Sequence, residues 1–504
     1  MSQKKAGILI TYITMAFNIV VGLAYSPFML KMLGDSQYGV YSLSSSLISF
    51  IALLDLGLGQ TLVRYISKAR ALDDREQEAR LNGFFLKLYS LISVAAVLVG
   101  LIIVFAYPLV CKKSMTAEEI QLFRTVFSIL LVNAVFSFPM CVFSSTINAY
   151  ERFFFLKLAN LIMVVLKYSF MVLLLKLGYK TVAITIVAAL SSILMQCAYA
   201  IYCKEKIKIS FSFKGMDKGF AREIFWFSFY IFLNLIIDFI NSNADKLILG
   251  AIVGTTAVTV YTFGVYFQNY FQELSLAMSG VFLPSIVSIY EKEHDMKKIS
   301  DIFLRVGRLQ MAILVLALSG FTVVGKDFIN LWIGKGYSNA YYIGLIIMLP
   351  GLIPLTQNIG ISVLRAMNLH KYRSYMYLAI AAVNVAISIP LAKAYGGVGA
   401  AVGTALANLA GQITYMNIFY ARRVHIDIKQ YWKNLLRIVL TTAPLAIATA
   451  VIKRVFPIES WLALAAYVLV FSAVYCILYW TVVANDYEKE LIRGFKRKLF
   501  KRSG

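Results

Sequence analysis

Charge is scarce in this chain. Only 15% of its 504 residues are Asp, Glu, Lys or Arg, against 60% hydrophobic residues and a mean hydropathy of +0.74. Soluble domains run at roughly 45–50% apolar and about 25% charged. So much apolar surface exceeds what a soluble core of this length can hide. That excludes a soluble enzyme, a disordered chain and a secreted disulfide scaffold. Histidine is scarcer still, with His294, His370 and His425 all in loops. The five cysteines (Cys111, Cys141, Cys197, Cys203 and Cys476) are odd in number and fit no disulfide or metal spacing. Four of them lie in or at the ends of apolar runs, where cysteine acts as a small hydrophobe. The sequence offers no cluster of metal ligands and no catalytic triad. Its longest loops are too short for a catalytic domain, so no enzymatic activity is expected.

What the chain has in abundance is long apolar runs. A helix needs about 20 apolar residues to cross the hydrocarbon. Fourteen runs meet that length: 8–30, 38–64, 84–110, 120–148, 154–176, 181–203, 222–249, 257–289, 303–325, 339–364, 374–393, 397–420, 432–452 and 460–485. Backbone groups in lipid must bond internally, so these are helices and the chain is an all-α membrane protein. The first run is not a cleaved signal peptide, since it holds Asn18 and Pro27 and no small-residue cleavage site follows.

The charges sit between the runs. Lys and Arg number 49 against 25 Asp and Glu, a net charge of +24. They are spread over short loops rather than gathered on one domain, which argues against nucleic acid and for loops facing an anionic leaflet. Thirty-four lie in the termini and even-numbered loops, 11 in the odd-numbered loops, and four (Arg64, Lys87, Arg124 and Lys167) within the runs. This asymmetry predicts both termini in the cytoplasm. Omitting one helix would invert every later loop and destroy it.

A repeat runs through the chain at an offset of about 217 residues. Leu33-Gly34 and Tyr41 near the first helix end match Leu249-Gly250 and Tyr261 near the seventh. Asn18 matches Asn234, Ser145 and Ala149 match Ser362 and Ala366, and Gly178 matches Gly396. Six helices per repeat is an even number, so the two halves share one orientation and are related by an axis along the membrane normal. The expected architecture is two pseudo-symmetric six-helix lobes, 1–215 and 216–424, followed by helices 13–14 and a basic cytoplasmic tail in 425–504.

The stretch Leu33-Gly34-Asp35-Ser36-Gln37-Tyr38-Gly39-Val40-Tyr41, followed by Leu54-Asp55-Leu56-Gly57-Leu58-Gly59 and Arg64-Tyr65, resembles the polysaccharide transporter family. These are the O-antigen and capsule flippases of the multidrug/oligosaccharidyl-lipid/polysaccharide exporter superfamily. Asp245-Lys246-Leu247-Ile248-Leu249-Gly250 looks like the matching motif of the second lobe, and Gly396-Gly397-Val398-Gly399-Ala400-Ala401 like the turn into helix twelve. The resemblance covers roughly residues 8–425, and its glycine-rich motifs mark the fold better than the cargo. It implies a bacterial plasma-membrane flippase that moves undecaprenyl-diphosphate-linked oligosaccharide from the inner to the outer leaflet by alternating access.

Polar groups within membrane helices are costly and usually face a cavity or a partner. In helix seven, Asn234, Asp238, Asn241 and Asp245 share one face, with Lys246 beside them. In helix eight, Gln268, Gln272 and Ser275 repeat the spacing, and Glu273 lies on an adjacent face. In helix one, Asn18 and Tyr25 share a face, and helix two carries Asp55. Together they describe a wet cavity. The alternative at each Asn or Ser is a bond between helices with no ligand, and Asp245 could simply pair with Lys246. A diphosphate headgroup needs cations, and Lys31, Arg64, Arg124, Lys167, Lys246 and Arg365 are the candidates. Lys167 lies roughly 20 Å into helix five at 1.5 Å per residue, too deep to snorkel easily. Arg64 and Arg365 lie near cytoplasmic ends, where snorkelling is the competing explanation. No cofactor is expected beyond a coupling proton or sodium ion, for which Asp55, Asp238 and Glu273 are candidates, since desolvation favours a protonated carboxyl. The tail Arg493–Arg502 carries six Lys or Arg. It suits an anionic lipid surface, or recruitment of a glycosyltransferase or polysaccharide polymerase. The chain is expected to work as a monomer. A peptidoglycan-precursor flippase, a drug/cation antiporter of the same superfamily and a membrane-embedded glycosyltransferase or polymerase are the competing readings.

Overall fold

The computed structural model describes residues 3–214, 218–279, 295–367 and 369–490, with positions 286, 289 and 290. Within these, the side chains of 3–16, 18, 218, 221, 230, 234, 277–279, 365, 366, 370 and 371 are not described. The described residues form helices and turns, with no strand among them. Eleven of their helices are long and apolar enough to cross a membrane. Two more carry the first and eighth runs: α1 (Gln3–Leu33), with Ile19–Leu33 as its described apolar part, and α9 (Thr255–Ser279). Tyr372–Arg423 carries two runs, divided at Gly396. Gly396 has φ 59° and ψ −138°, a conformation that glycine adopts without Cβ strain. Among the described residues, all fourteen expected runs therefore fall on helices, the eighth as far as Ser279.

The chain divides into two compact units, Met1–Thr259 and Val260–Gly504. This contact boundary falls after the seventh run, whereas the repeat boundary falls before it. In the first unit, α2 (Asp35–Ala52) and α3 (Leu58–Ala71) lead through Asp74, whose side chain accepts from Gln77 N, into α4 (Arg75–Val110). There follow α5 (Ala117–Ala149), α6 (Phe153–Lys176), α7 (Thr181–Tyr202) and α8 (Lys218–Ile252). Phe85, Tyr89, Phe123 and Phe127 are fully buried between them. Helix α8 belongs to this unit through contacts with α2 and α3. Phe50 and Phe239 lie 5.6 Å apart, and the Thr61 and Ser228 hydroxyls are 2.9 Å apart.

One end of this unit is tied by a single carboxylate. Thr116 and Glu119 form a capping box at the start of α5. Glu119 Oε1 also accepts from Ser36 Oγ at 2.6 Å and Thr255 Oγ1 at 2.5 Å. Thr259 Oγ1 donates to Asp35 O at 2.7 Å. The first turns of α2, α5 and α9 are thereby held together. Gly39 lets them approach, since a Cβ there would lie 2.1 Å from Thr255 O.

In the second unit, α10 (Met296–Trp332), α11 (Ser338–Thr356), α12 (Ile359–Ala366), α13 (His370–Asn408), α14 (Met416–Arg423), α15 (Ile428–Val455) and α16 (Trp461–Leu478) enclose Phe303, Met311 and Tyr431. Arg308 is buried on α10. Its Nε and Nη2 meet Glu488 at 2.9 and 3.1 Å, its Nη1 donates to Asn434, and its Nη2 also donates to Val483 O. A buried charge this fully paired fixes the stretch after α16 against α10 and α15.

Gly39→Ala is expected to destabilise the full chain by about 1–3 kcal/mol through overpacking, read as a lowered thermal midpoint in detergent. Gly336→Ala, with nothing within 4 Å of the added Cβ, should leave it unchanged. Equal midpoints for both variants would contradict the close approach at Gly39.

Candidate functional site: a broken helix and its neighbours

The second run, expected as one helix over 38–64, is broken. α2 ends at Ala52, Leu53–Asp55 is a 3-10 turn, and α3 begins at Leu58. Leu56 and Gly57 take left-handed φ of 52° and 72°. The break frees backbone N–H groups inside a membrane helix, and Asp55 receives them. Its carboxylate accepts from the backbone N–H of Gly57 and Gly59 and from Tyr89 Oη at 2.7 Å. A carboxylate at a helix N-terminus answers both the open donors and the positive end of the helix dipole. Gly57 is required by space as well as by φ, since a Cβ there would lie 2.4 Å from Ile231 Cγ2 of α8.

Beyond the break, α3 runs along the first half of α8. Tyr65 Oη donates to Glu223 Oε1 at 2.9 Å and its ring meets Phe220 edge-on at 5.1 Å. Arg64 is exposed, with its guanidinium 4.3 Å from the Phe227 ring centroid. Elsewhere in the unit, Lys167 is partly buried on α6 with its ammonium 4.6 Å from the Tyr168 ring. Tyr168 meets Tyr25 of α1 edge-on at 4.9 Å. Two of the predicted cations are thus held over aromatic faces, where the ring quadrupole offsets part of their desolvation.

The other predicted residues are scattered. Along α8, Asp238 is exposed, Asn241 and Lys246 are partly buried and Asp245 is buried. The shared helical face therefore passes from an open to a closed environment. Near its closed end, Tyr107 Oη donates to Leu247 O and Ser114 Oγ to Gly250 O. Arg124 and Lys31 are exposed. In the second unit, Gln272 and Glu273 are exposed and Gln268 lies against Gly351, where a Cβ would meet its Nε2 at 3.0 Å. Ser275, of the same stripe, is buried glue. It donates to Leu355 O at 2.6 Å and accepts from Asn358 Nδ2 at 2.8 Å. The side chains of Asn18, Asn234 and Arg365, and all of Arg493–Arg502, lie outside the described residues. Among the described residues no three His, Cys, Asp or Glu side chains converge as metal ligands.

Sequence reasoning missed the second interruption, at Gln357-Asn358 between α11 and α12, where Gln357 Nε2 donates to Asn417 Oδ1 at 2.6 Å. Pro350 and Pro354 ahead of a Gln-Asn pair were the available signal. It also missed Tyr168 and Phe227, whose aromatic faces carry the two cations; neither has a signature beyond apolarity.

Asp55→Ala should destabilise the chain by about 1–3 kcal/mol, because two backbone donors and the Tyr89 hydroxyl lose their acceptor. Asp55→Asn keeps one acceptor oxygen and should recover about half of that loss. Thermal midpoints in detergent check this, and an alanine variant as stable as the parent chain would contradict the capping role.

The polysaccharide biosynthesis protein family model matches residues 28–341. A Bacillus subtilis (strain 168) protein described as the uncharacterized membrane protein EpsK is 21% identical over 496 residues, covering 95% of each chain. A structure of the lipid II flippase MurJ in an inward closed conformation aligns with a TM-score of 0.72 at 16% identity, over 96% of this chain and all of that one. An inward-facing multidrug resistance MATE transporter of the MOP superfamily aligns with a TM-score of 0.65 at 13% identity, over 83% of this chain and 98% of that one. At those identities the likeness shows a shared fold. The family match covers more than half of the sequence, and this multi-pass membrane chain belongs to the polysaccharide biosynthesis protein family.

Proposed function

We propose that this chain is a flippase that carries undecaprenyl-diphosphate-linked oligosaccharide from the inner to the outer leaflet of a bacterial plasma membrane, by alternating access, for assembly of a cell-surface polysaccharide. The family match supports the pathway, and the fold shared with MurJ supports a lipid-linked cargo. The observation that carries the reading is the placing of Arg64 and Lys167 over aromatic rings in membrane helices. Cations held this way within the bilayer suit an anionic headgroup moving past them, Arg binding phosphate bidentately and Lys as a point charge. Both termini lie in the cytoplasm on the charge asymmetry of the loops. Asp55, with its carboxylate engaged at the helix break, is a weaker candidate for a coupling proton or sodium ion than the exposed Glu273, and Asp238 is a further candidate. The basic tail offers a contact for a glycosyltransferase or polymerase.

A peptidoglycan-precursor flippase is the second reading, favoured by the MurJ alignment. A drug/cation antiporter, on the MATE alignment, is the third; deep cations repel its cargo.

Deletion of this protein in its own cells should build up lipid-linked oligosaccharide on the cytoplasmic leaflet. Add-back of the parent chain should clear it and Lys167→Ala should clear it at least tenfold more slowly, a loss of about 1.4 kcal/mol. Higher sensitivity to cationic drugs with no glycan build-up would overturn the reading in favour of an antiporter. Arrested growth with build-up of the peptidoglycan precursor would overturn it in favour of the second reading.

A further inference from the structure

The first turns of α2 and α9 meet in a contact that maps onto itself under the sequence repeat. Tyr41 and Tyr261 are 220 residues apart, and at that offset Gly34 matches Gly254, Asp35 matches Thr255 and Gly39 matches Thr259. Gly34 and Gly254 both take a positive φ, 79° and 121°, and each directly precedes its helix. Gly39 lies so close to Thr255 O that it has no room for a Cβ, and Thr259 Oγ1 donates to Asp35 O at 2.7 Å. Gly39 thus touches Thr255, and its mate Thr259 touches Asp35, the mate of Thr255. Reciprocal contacts of this kind mark a two-fold interface. Here the two-fold is the one that relates the halves of the repeat.

One group breaks the symmetry. Glu119, in the first half, accepts from Thr255 Oγ1 of the second half and from Ser36 Oγ of its own. At offsets of 217 to 220 from Glu119 the chain has Gly336, Tyr337, Ser338 and Asn339, none of them acidic. Ser114 Oγ adds a bond to Gly250 O at 2.9 Å, again from the first half to the second. The bonds of this contact are made by hydroxyls, backbone carbonyls and one carboxylate. Water can take over each of them when they part, so breaking them costs little beyond an exchange of partners.

We propose that this contact is the outer gate of the transporter and that the Glu119–Thr255 bond is its latch. In the other access state the bond is broken and the first turns of α2 and α9 separate. The proposal rests on the alternating-access reading above, and the end concerned is the one that the loop charges place outside.

Two native cysteines report on it. Cys111 is fully buried at the end of α4, in the turn that leads to Ser114. Cys203 is fully buried in a separate cluster with Ile147, Tyr199 and Ile207. The full chain in detergent is reacted with a maleimide, and labelling of each cysteine is followed by peptide mass spectrometry. Thr255→Ala should raise the labelling rate of Cys111 at least about tenfold, for the loss of one hydrogen bond to a charged group, and leave Cys203 unchanged. Thr255→Ser keeps the hydroxyl and should label as the parent chain does. Thr259→Ala, which loses a neutral bond, should raise the Cys111 rate about fivefold. Ser36→Ala breaks only a bond within the first half and should leave the Cys111 rate unchanged. The proposal is overturned by an unchanged Cys111 rate in both threonine-to-alanine variants, by Cys203 rising in step with Cys111, or by Ser36→Ala matching Thr255→Ala. The readout uses no cargo. A response confined to Cys111 supports the latch even in a chain that moves no lipid-linked glycan, and its absence overturns the latch even in one that does.

Discussion

In hydrocarbon a backbone N–H or C=O that leaves its helix must find another protein group. The architecture follows from that constraint. It makes the apolar runs helical, and it makes an interruption expensive unless the freed groups find a partner. Asp55 completes the break in the second run by accepting from Gly57 N, Gly59 N and Tyr89 Oη. Gly57 takes its left-handed φ at that point, and α3 follows it along α8. Tyr65–Glu223 and Arg64–Phe227 are contacts of α3 with α8 beyond the break. At the interruption at Gln357-Asn358 the backbone N–H groups bond to backbone carbonyls, and the two amides donate instead to Asn417 and Ser275 on neighbouring helices.

Polar groups in the two units divide into those that hold helices together and those that stay available. Glu119 and Arg308 belong to the first class. Glu119 gathers the first turns of α2, α5 and α9, and Arg308 locks the stretch after α16 through Glu488. Arg64, Gln272 and Glu273 belong to the second, being exposed on their helices. A transporter requires both classes, since a membrane protein without fixed polar joints has little hydrophobic drive to hold one helix against another.

The helices were legible in the sequence because lipid demands length and apolarity, which a single segment displays by itself. The division at Gly396 was legible too, through its glycine-rich turn. The break at Leu53–Gly57 was not, because Leu54, Leu56 and Leu58 keep the run apolar while Asp55 and the glycines change only its geometry. Nor was the placing of α8 with the first unit. Its repeat offset joins it to the later helices, while the contacts Thr61–Ser228 and Phe50–Phe239 link residues far apart in sequence and leave no periodic trace. The spacing of the polar stripe on α8 is that of one helical face, but spacing does not say what faces it. Burial of Asp245 and exposure of Asp238 came only from packing.

The central claim is that a diphosphate-linked glycan crosses the bilayer through this protein. Its most direct test is the purified chain in proteoliposomes carrying a fluorescent undecaprenyl-diphosphate oligosaccharide, with a membrane-impermeant quencher added outside. The account predicts that lipid initially shielded in the inner leaflet becomes quenchable at a rate proportional to the protein present, and that Lys167→Ala slows that rate. Quenching that stops at the outer-leaflet fraction, with or without protein, would contradict it.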